Sequence, residues 1–134
     1  MKKLVLMFTL ILFIVSCNND DENNRDVDIV GDWKLIEMLS DPGDGSGTYN
    51  AVDSDFVISF LDDGTFTANG DFCNMLDVSG SPSTGIYSEI ESTITPELCE
   101  GSIPNWDYSF VINGDKLIIY FPCIEPCGAK YLKL

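Results

Sequence analysis

The chain carries five cysteines, at positions 17, 73, 99, 123 and 127, beside 22 acidic residues and no histidine. That inventory bounds the chemistry. Without imidazole there is no Ser-His-Asp or Cys-His nucleophile and no His-ligated zinc. Four thiolates can hold zinc, but spacings of 26, 24 and 4 residues from Cys73 to Cys127 lack paired C-x-x-C knuckles. The 123/127 pair also lacks the C-x-x-C spacing and following helix N-terminus that stabilise a redox-active thiolate. Carboxylates are plentiful enough for glycoside hydrolysis, yet nothing in the sequence brings two of them to the separations of about 5 or about 6.5–9.5 Å that it requires. The segments Asp41–Gly47 and Asp53-Ser54-Asp55 offer oxygens to calcium, but neither has the EF-hand spacing. The expectation is a non-enzymatic protein with no catalytic residue, no metal site and no cofactor.

One cysteine stands apart. Met1-Lys2-Lys3 opens a positive start, Leu4–Val15 is an apolar run of 12 residues, and Ser16 is a small residue before Cys17. Twelve residues fall short of the roughly 20 that cross a bilayer, so residues 1–16 read as a secretory signal peptide. Ile14-Val15-Ser16-Cys17 resembles the bacterial lipobox, and the resemblance implies cleavage before Cys17 and acylation of that residue. Each buried methylene contributes about 0.8 kcal/mol, so two or three acyl chains anchor a protein stably. Residues 17–28 then form an acidic, flexible tether with almost nothing to bury. Within it, Asn19-Asp20-Asp21-Glu22 resembles the export signal of surface-exposed lipoproteins in the Bacteroidetes; an ordinary hydrophilic linker reads the same way. The expected location is the outer membrane, lipid-anchored, on the periplasmic face or the cell surface.

Removing residues 1–16 leaves 118 residues, enough for one small domain over 29–134. Lys2 and Lys3 leave with the signal, so five cationic residues face 22 acidic ones and the formal charge moves from −15 to −17. Such a surface repels nucleic acid and anionic headgroups, which excludes nucleic acid as a partner. The remaining cysteines, Cys73, Cys99, Cys123 and Cys127, are even in number in an exported chain and point to two disulfides with three possible connectivities. Cys73 and Cys99 each end a strand-like run, and Cys123 and Cys127 flank a turn containing Pro126, so 73–99 with 123–127 is the preferred pairing.

The elements that must position these residues are strands. Phe56, Ile58 and Phe60 alternate, Asp62-Asp63-Gly64 turns, and Thr65–Ala68 runs back. Tyr108, Phe110 and Ile112 alternate in the same way before Asn113-Gly114-Asp115 and a returning strand, Lys116–Phe121. Gly31–Leu39, Gly85–Ile94 and Ala129–Leu134 supply further strands, and little helix is expected. The pattern predicts an all-β fold, a small antiparallel barrel or sandwich.

Gly31-Asp32-Trp33-Lys34-Leu35 and Phe60-Leu61-Asp62-Asp63-Gly64-Thr65-Phe66-Thr67 resemble the opening of bacterial lipocalin-like domains. Phe66, Phe72-Cys73-Asn74, Gly85-Ile86-Tyr87, Thr95 and Cys99 resemble the META domain of heat-shock-type lipoproteins, with Phe72 where that pattern has glycine. Both resemblances imply a compact antiparallel β-barrel of meander type in the cell envelope, and neither implies one activity. A lipocalin-like barrel implies a small apolar ligand; a META-like one fits a structural or protein-interaction module with a filled core. The candidate ligand-binding residues are Trp33, Trp106, Tyr108 and Phe110, each of which packing alone would also explain. The expected partners are the membrane, through the lipid, and a small apolar ligand or an envelope protein.

Overall fold

Apolar side chains recurring at every second position force an extended backbone with one face turned inward. The structure, a computed structural model, describes residues 28–99 and 106–134. The expected signal peptide, Cys17 and the expected tether as far as residue 27 lie outside the described residues. Nine strands follow in order: β1 (Gly31–Ser40), β2 (Tyr49–Ala51), β3 (Val57–Phe60), β4 (Thr65–Ala68), β5 (Ser83–Ser88), β6 (Thr93–Pro96), β7 (Tyr108–Asn113), β8 (Lys116–Tyr120) and β9 (Cys127–Lys133). From β3 to β9 each strand pairs antiparallel with the next, and β9 closes on β1. The fold is all-β, a closed antiparallel barrel.

β2 and β3 both pair with the same edge of β1, β2 at its end and β3 at its start. They are two halves of one barrel strand bent at 52–56, and β1 holds the bend: Val52 N–H donates to the Ile36 carbonyl at 2.9 Å, and Leu35 N–H to that of Phe56 at 3.0 Å. Counted this way the barrel has eight staves. Closure leaves β2, paired only with β1, as the one strand with an unpaired edge among the described residues, where an open sheet would expose two full edges to another chain.

The long strand β1 contains a bulge. Leu35 faces Tyr131 and Glu37 faces Lys130 on β9, which leaves Ile36 as the extra residue. The bulge reverses the inward parity. Trp33 and Leu35 are buried before it, and Met38 packs on the core after it. Glu37 thereby points outward, where the Lys130 ammonium donates to its carboxylate at 2.6 Å.

The interior is filled with side chains. Trp33, Tyr131, Phe60, Phe66 and Phe72 are its largest fully buried members, packed with Leu35, Ile58, Ile94, Leu117 and Ile119. Opposite Phe66 on β5 stands Gly85, also facing inward. A Cβ there would lie 2.5 Å from the Phe66 ring and 2.8 Å from Pro96 Cα, and would also strike the Thr95 carbonyl. The glycine lets the aromatic ring lie directly on the sheet. Gly85→Ala is therefore expected to destabilise the fold by about 1–3 kcal/mol through overpacking, with urea unfolding midpoints as the readout.

The two sequence-predicted hairpins form, and Gly114 sits at φ 61° in the β7–β8 turn. One expectation is corrected. Gly85–Ile94 is not a single strand but the end of β5, a turn and the start of β6. The reversal is made without glycine or proline: Ser92 takes φ 54°, and the Ser88 hydroxyl accepts the Glu91 N–H at 3.2 Å. Ile90, inside the run expected to form one strand, is 99% exposed at the tip.

Candidate functional site

The barrel has two unlike ends. The tight hairpins β3–β4, β5–β6 and β7–β8 all turn at the end where β1 begins. The longer connections, 41–48, 69–82, 97–107 and 121–126, all leave from the opposite end, here called the mouth. Binding residues concentrate on loops held by a rigid scaffold, so the mouth is the candidate site.

The tight end is sealed. Trp33 and Ile29 are fully buried there, and the indole Nε1–H donates to the Ile29 carbonyl at 2.6 Å. Lys133 Nζ lies 5.1 Å from the Trp33 ring centroid and donates to the Asp28 carbonyl, so the residues entering β1 are folded beneath the barrel. The candidate ligand residue Trp33 is thus an element of the core, satisfied by its own chain, and lines neither surface cleft described below.

The mouth is plugged as well, by Phe72. Its ring is 1% exposed and meets Phe66 at 5.0 Å, Tyr108 at 5.1 Å and Phe121 at 6.0 Å between centroids. Small inward residues leave room for it, because Ala68 and Ser83 pair across β4 and β5. The buried Ser83 hydroxyl accepts the Phe72 N–H at 2.9 Å and donates to the Gly70 carbonyl at 3.0 Å. Gly70 has no room for a side chain, since a Cβ would run into the Val78 carbonyl. The next residue, Cys73, is bonded to Cys99, with their Cα atoms 5.5 Å apart. A covalent link therefore fixes the plug beside its insertion point. The second bridge, Cys123–Cys127, closes the 121–126 turn with Cα atoms 6.0 Å apart.

Between the two bridges a cleft of about 290 Å³ opens at the mouth, lined chiefly by Met75, Leu76, Tyr108, Phe121 and Pro122, with Asp41 and Glu125 on its wall. Of the proposed aromatic wall, Tyr108 borders this cleft while otherwise buried at 3% exposure. Phe110 belongs to the core, and Trp106, ahead of β7, is 43% exposed. The three do not share one face. A second, shallower groove of about 570 Å³ runs across the outside of β4, β5 and β6 between Thr65, Thr67, Thr84, Thr95 and Ile86. Two of its hydroxyls are already engaged, Thr84 donating to Glu97 at 2.8 Å and Thr95 to Asp107 at 2.6 Å.

The glycine-rich loop at the mouth is organised by one carboxylate. Asp41 Oδ1 accepts the N–H groups of Gly43, Asp44 and Gly45 at 2.7, 3.1 and 3.1 Å, and Oδ2 accepts that of Gly47 at 2.6 Å. In this loop the Asp41 carboxylate is met by backbone donors and not by further oxygens. No cluster of metal-ligating side chains occurs among the described residues. The Gly47 and Gly43 N–H groups hold the Asp41 carboxyl below its ordinary value of 3.8. Charged Asp41 is thus favoured by folding; its contribution is complete above about pH 4 and is lost as pH falls through the lowered folded value. Asp41→Asn should be less stable than the parent at pH 7, with the gap closing in acid unfolding curves taken from pH 5 to pH 2.

Phe72 is the site residue that the sequence concealed. Its signal was present as the departure from glycine in the META-like pattern, but nothing local says that the ring turns into a barrel. No protein-family model, curated protein or solved structure matches the chain.

Proposed function

We propose that the protein is a lipid-anchored, non-enzymatic binding module of the bacterial cell envelope that recognises a protein partner through the loops at its mouth. The observation that carries this reading is the occupied barrel axis: Trp33 seals one end and Phe72 the other, so recognition falls to the outer surface. Four longer connections leave the barrel at one end, and two disulfides brace that end. The lipobox-like Ile14-Val15-Ser16-Cys17 and the acidic tether supply the anchoring part of the proposal and its outer-membrane location. The residues entering the barrel at Asp28 lie at the sealed end, so the proposed anchor would join the barrel at the end opposite the mouth.

Two experiments test it. Metabolic labelling with a radioactive fatty acid should mark the parent protein, and Cys17→Ser should abolish the label; labelled Cys17→Ser protein would remove the anchor from the proposal. Photo-crosslinking residues placed at Leu76 or Ile124 in living cells should yield one defined protein adduct, whereas the same group at Ile90 should not. A failure at both mouth positions sinks the partner reading.

A second reading, a small apolar ligand, draws on the apolar lining of the 290 Å³ cleft. It predicts a rise in melting temperature with a fatty acid or sterol that is lost in Leu76→Asp.

A further inference from the structure

The charges on the molecule are not evenly mixed. The described residues of the loops 41–48, 69–82, 97–107 and 121–126 include seven Asp or Glu and no Lys or Arg. The described lysines lie elsewhere. Lys34 faces Asp55 at 3.7 Å on the flank, and Lys130 is bound to Glu37 at 2.6 Å with its ammonium 3.9 Å from the Tyr49 ring centroid. Lys116 and Lys133 sit at the sealed end, on strands β8 and β9.

Apolar side chains stand exposed among those carboxylates. Leu76, Leu98 and Ile124 are 77%, 83% and 101% exposed, and all three belong to mouth loops. Leu76 also walls the cleft between the bridges, with Glu125 on the same wall. Glu125 lies against the glycine-rich loop, within 3.5 Å of where a Gly43 side chain would begin. The mouth therefore combines an apolar recess, projecting aliphatic side chains and an all-negative surround.

That combination selects its occupant. Anionic lipids and nucleic acid are repelled, and so is a second copy of this chain, which carries the same acidic loops. An uncharged apolar molecule would fill the recess and leave the carboxylates unused. We propose that the mouth docks a cationic amphipathic segment of a partner protein, one large apolar side chain entering the cleft and flanking Lys or Arg residues meeting the loop carboxylates. The inference rests on the mouth being the recognition surface. Complementary charge speeds encounter and sets specificity, while the apolar anchor holds the complex.

The test is titration calorimetry of the full-length protein in nonionic detergent, against two peptides that share a Leu-Phe-Leu centre. One is flanked on both sides by lysines and the other by glutamates. The lysine peptide should bind with one-to-one stoichiometry, weaken as salt is raised, and lose at least about tenfold in affinity to Leu76→Asp or Ile124→Asp. Ile90→Asp, at the far hairpin, should leave binding unchanged. Equal binding of both peptides, no saturable binding, or equal effects of Ile90→Asp and the mouth substitutions would overturn the inference. The crosslinking experiment separates the two levels: a mouth adduct whose contacting segment lacks cationic residues sinks this inference and leaves the binding-module reading standing.

Discussion

Replacing Trp33 with alanine is expected to lower the unfolding free energy by about 3–5 kcal/mol, the largest single-residue effect in the molecule. The indole is completely buried at the sealed end, and its Nε1–H is matched to the Ile29 carbonyl. The substitution removes a large apolar volume and leaves that carbonyl without its partner. Relaxation is limited, because β1 is bonded along both edges, to β9 over nearly its whole length and to β2 and β3 opposite. For a domain of this size the loss is a large share of a total stability of about 5–15 kcal/mol. Urea unfolding followed by circular dichroism reads the change, and a loss under 1 kcal/mol would show that the sealed end is not under packing constraint.

The second large effect is covalent. Substituting both Cys73 and Cys99 with alanine should cost about 3 kcal/mol, against about 2 kcal/mol for the Cys123/Cys127 pair, because the longer bridge restricts more of the unfolded chain. The sequence separations of 26 and 4 residues set that order. The two variants should also differ in kind. Only the first frees the segment carrying Phe72, so only it should gain binding of an apolar fluorescent dye at the mouth under native conditions. Equal dye binding by both double variants would dissociate the bridge from the plug.

The parts of this fold legible in the sequence are the local ones. Phe56, Ile58 and Phe60 announce a half-buried strand by alternation, and Asn113-Gly114 announces a tight turn by its tolerance of positive φ. The pairing of Cys73 with Cys99 followed from their places at the ends of strand-like runs, and the structure joins them. What stayed hidden depends on the whole barrel. The Ser92 turn uses a residue type with no preference for its conformation, so the run from Gly85 to Ile94 looked continuous. Tyr49–Ala51 gave no apolar alternation, because β2 is a strand only through its register against β1. At the candidate site the aromatic residues were visible, but their side of the wall was not. Tyr108 and Phe110 turn inward, whereas Trp106 precedes the strand that would have fixed its parity. The cleft itself is made by three loops distant in sequence together with Tyr108 of β7, a convergence that no local pattern encodes.

The double pairing of β1 has a mechanical consequence. A partner seated at the mouth and an anchor acting through Asp28 would pull on opposite ends of the barrel, the two ends that β1 joins. Load in that direction would be shared by the ladders to β9 and to β2 and β3 at once. Hydrogen bonds strained in parallel yield together at high force, whereas bonds peeled in sequence yield one at a time at low force. Pulled from Asp28 against the mouth, this barrel would resist as a loaded beam does, and a tug between two residues of one hairpin would meet far less resistance.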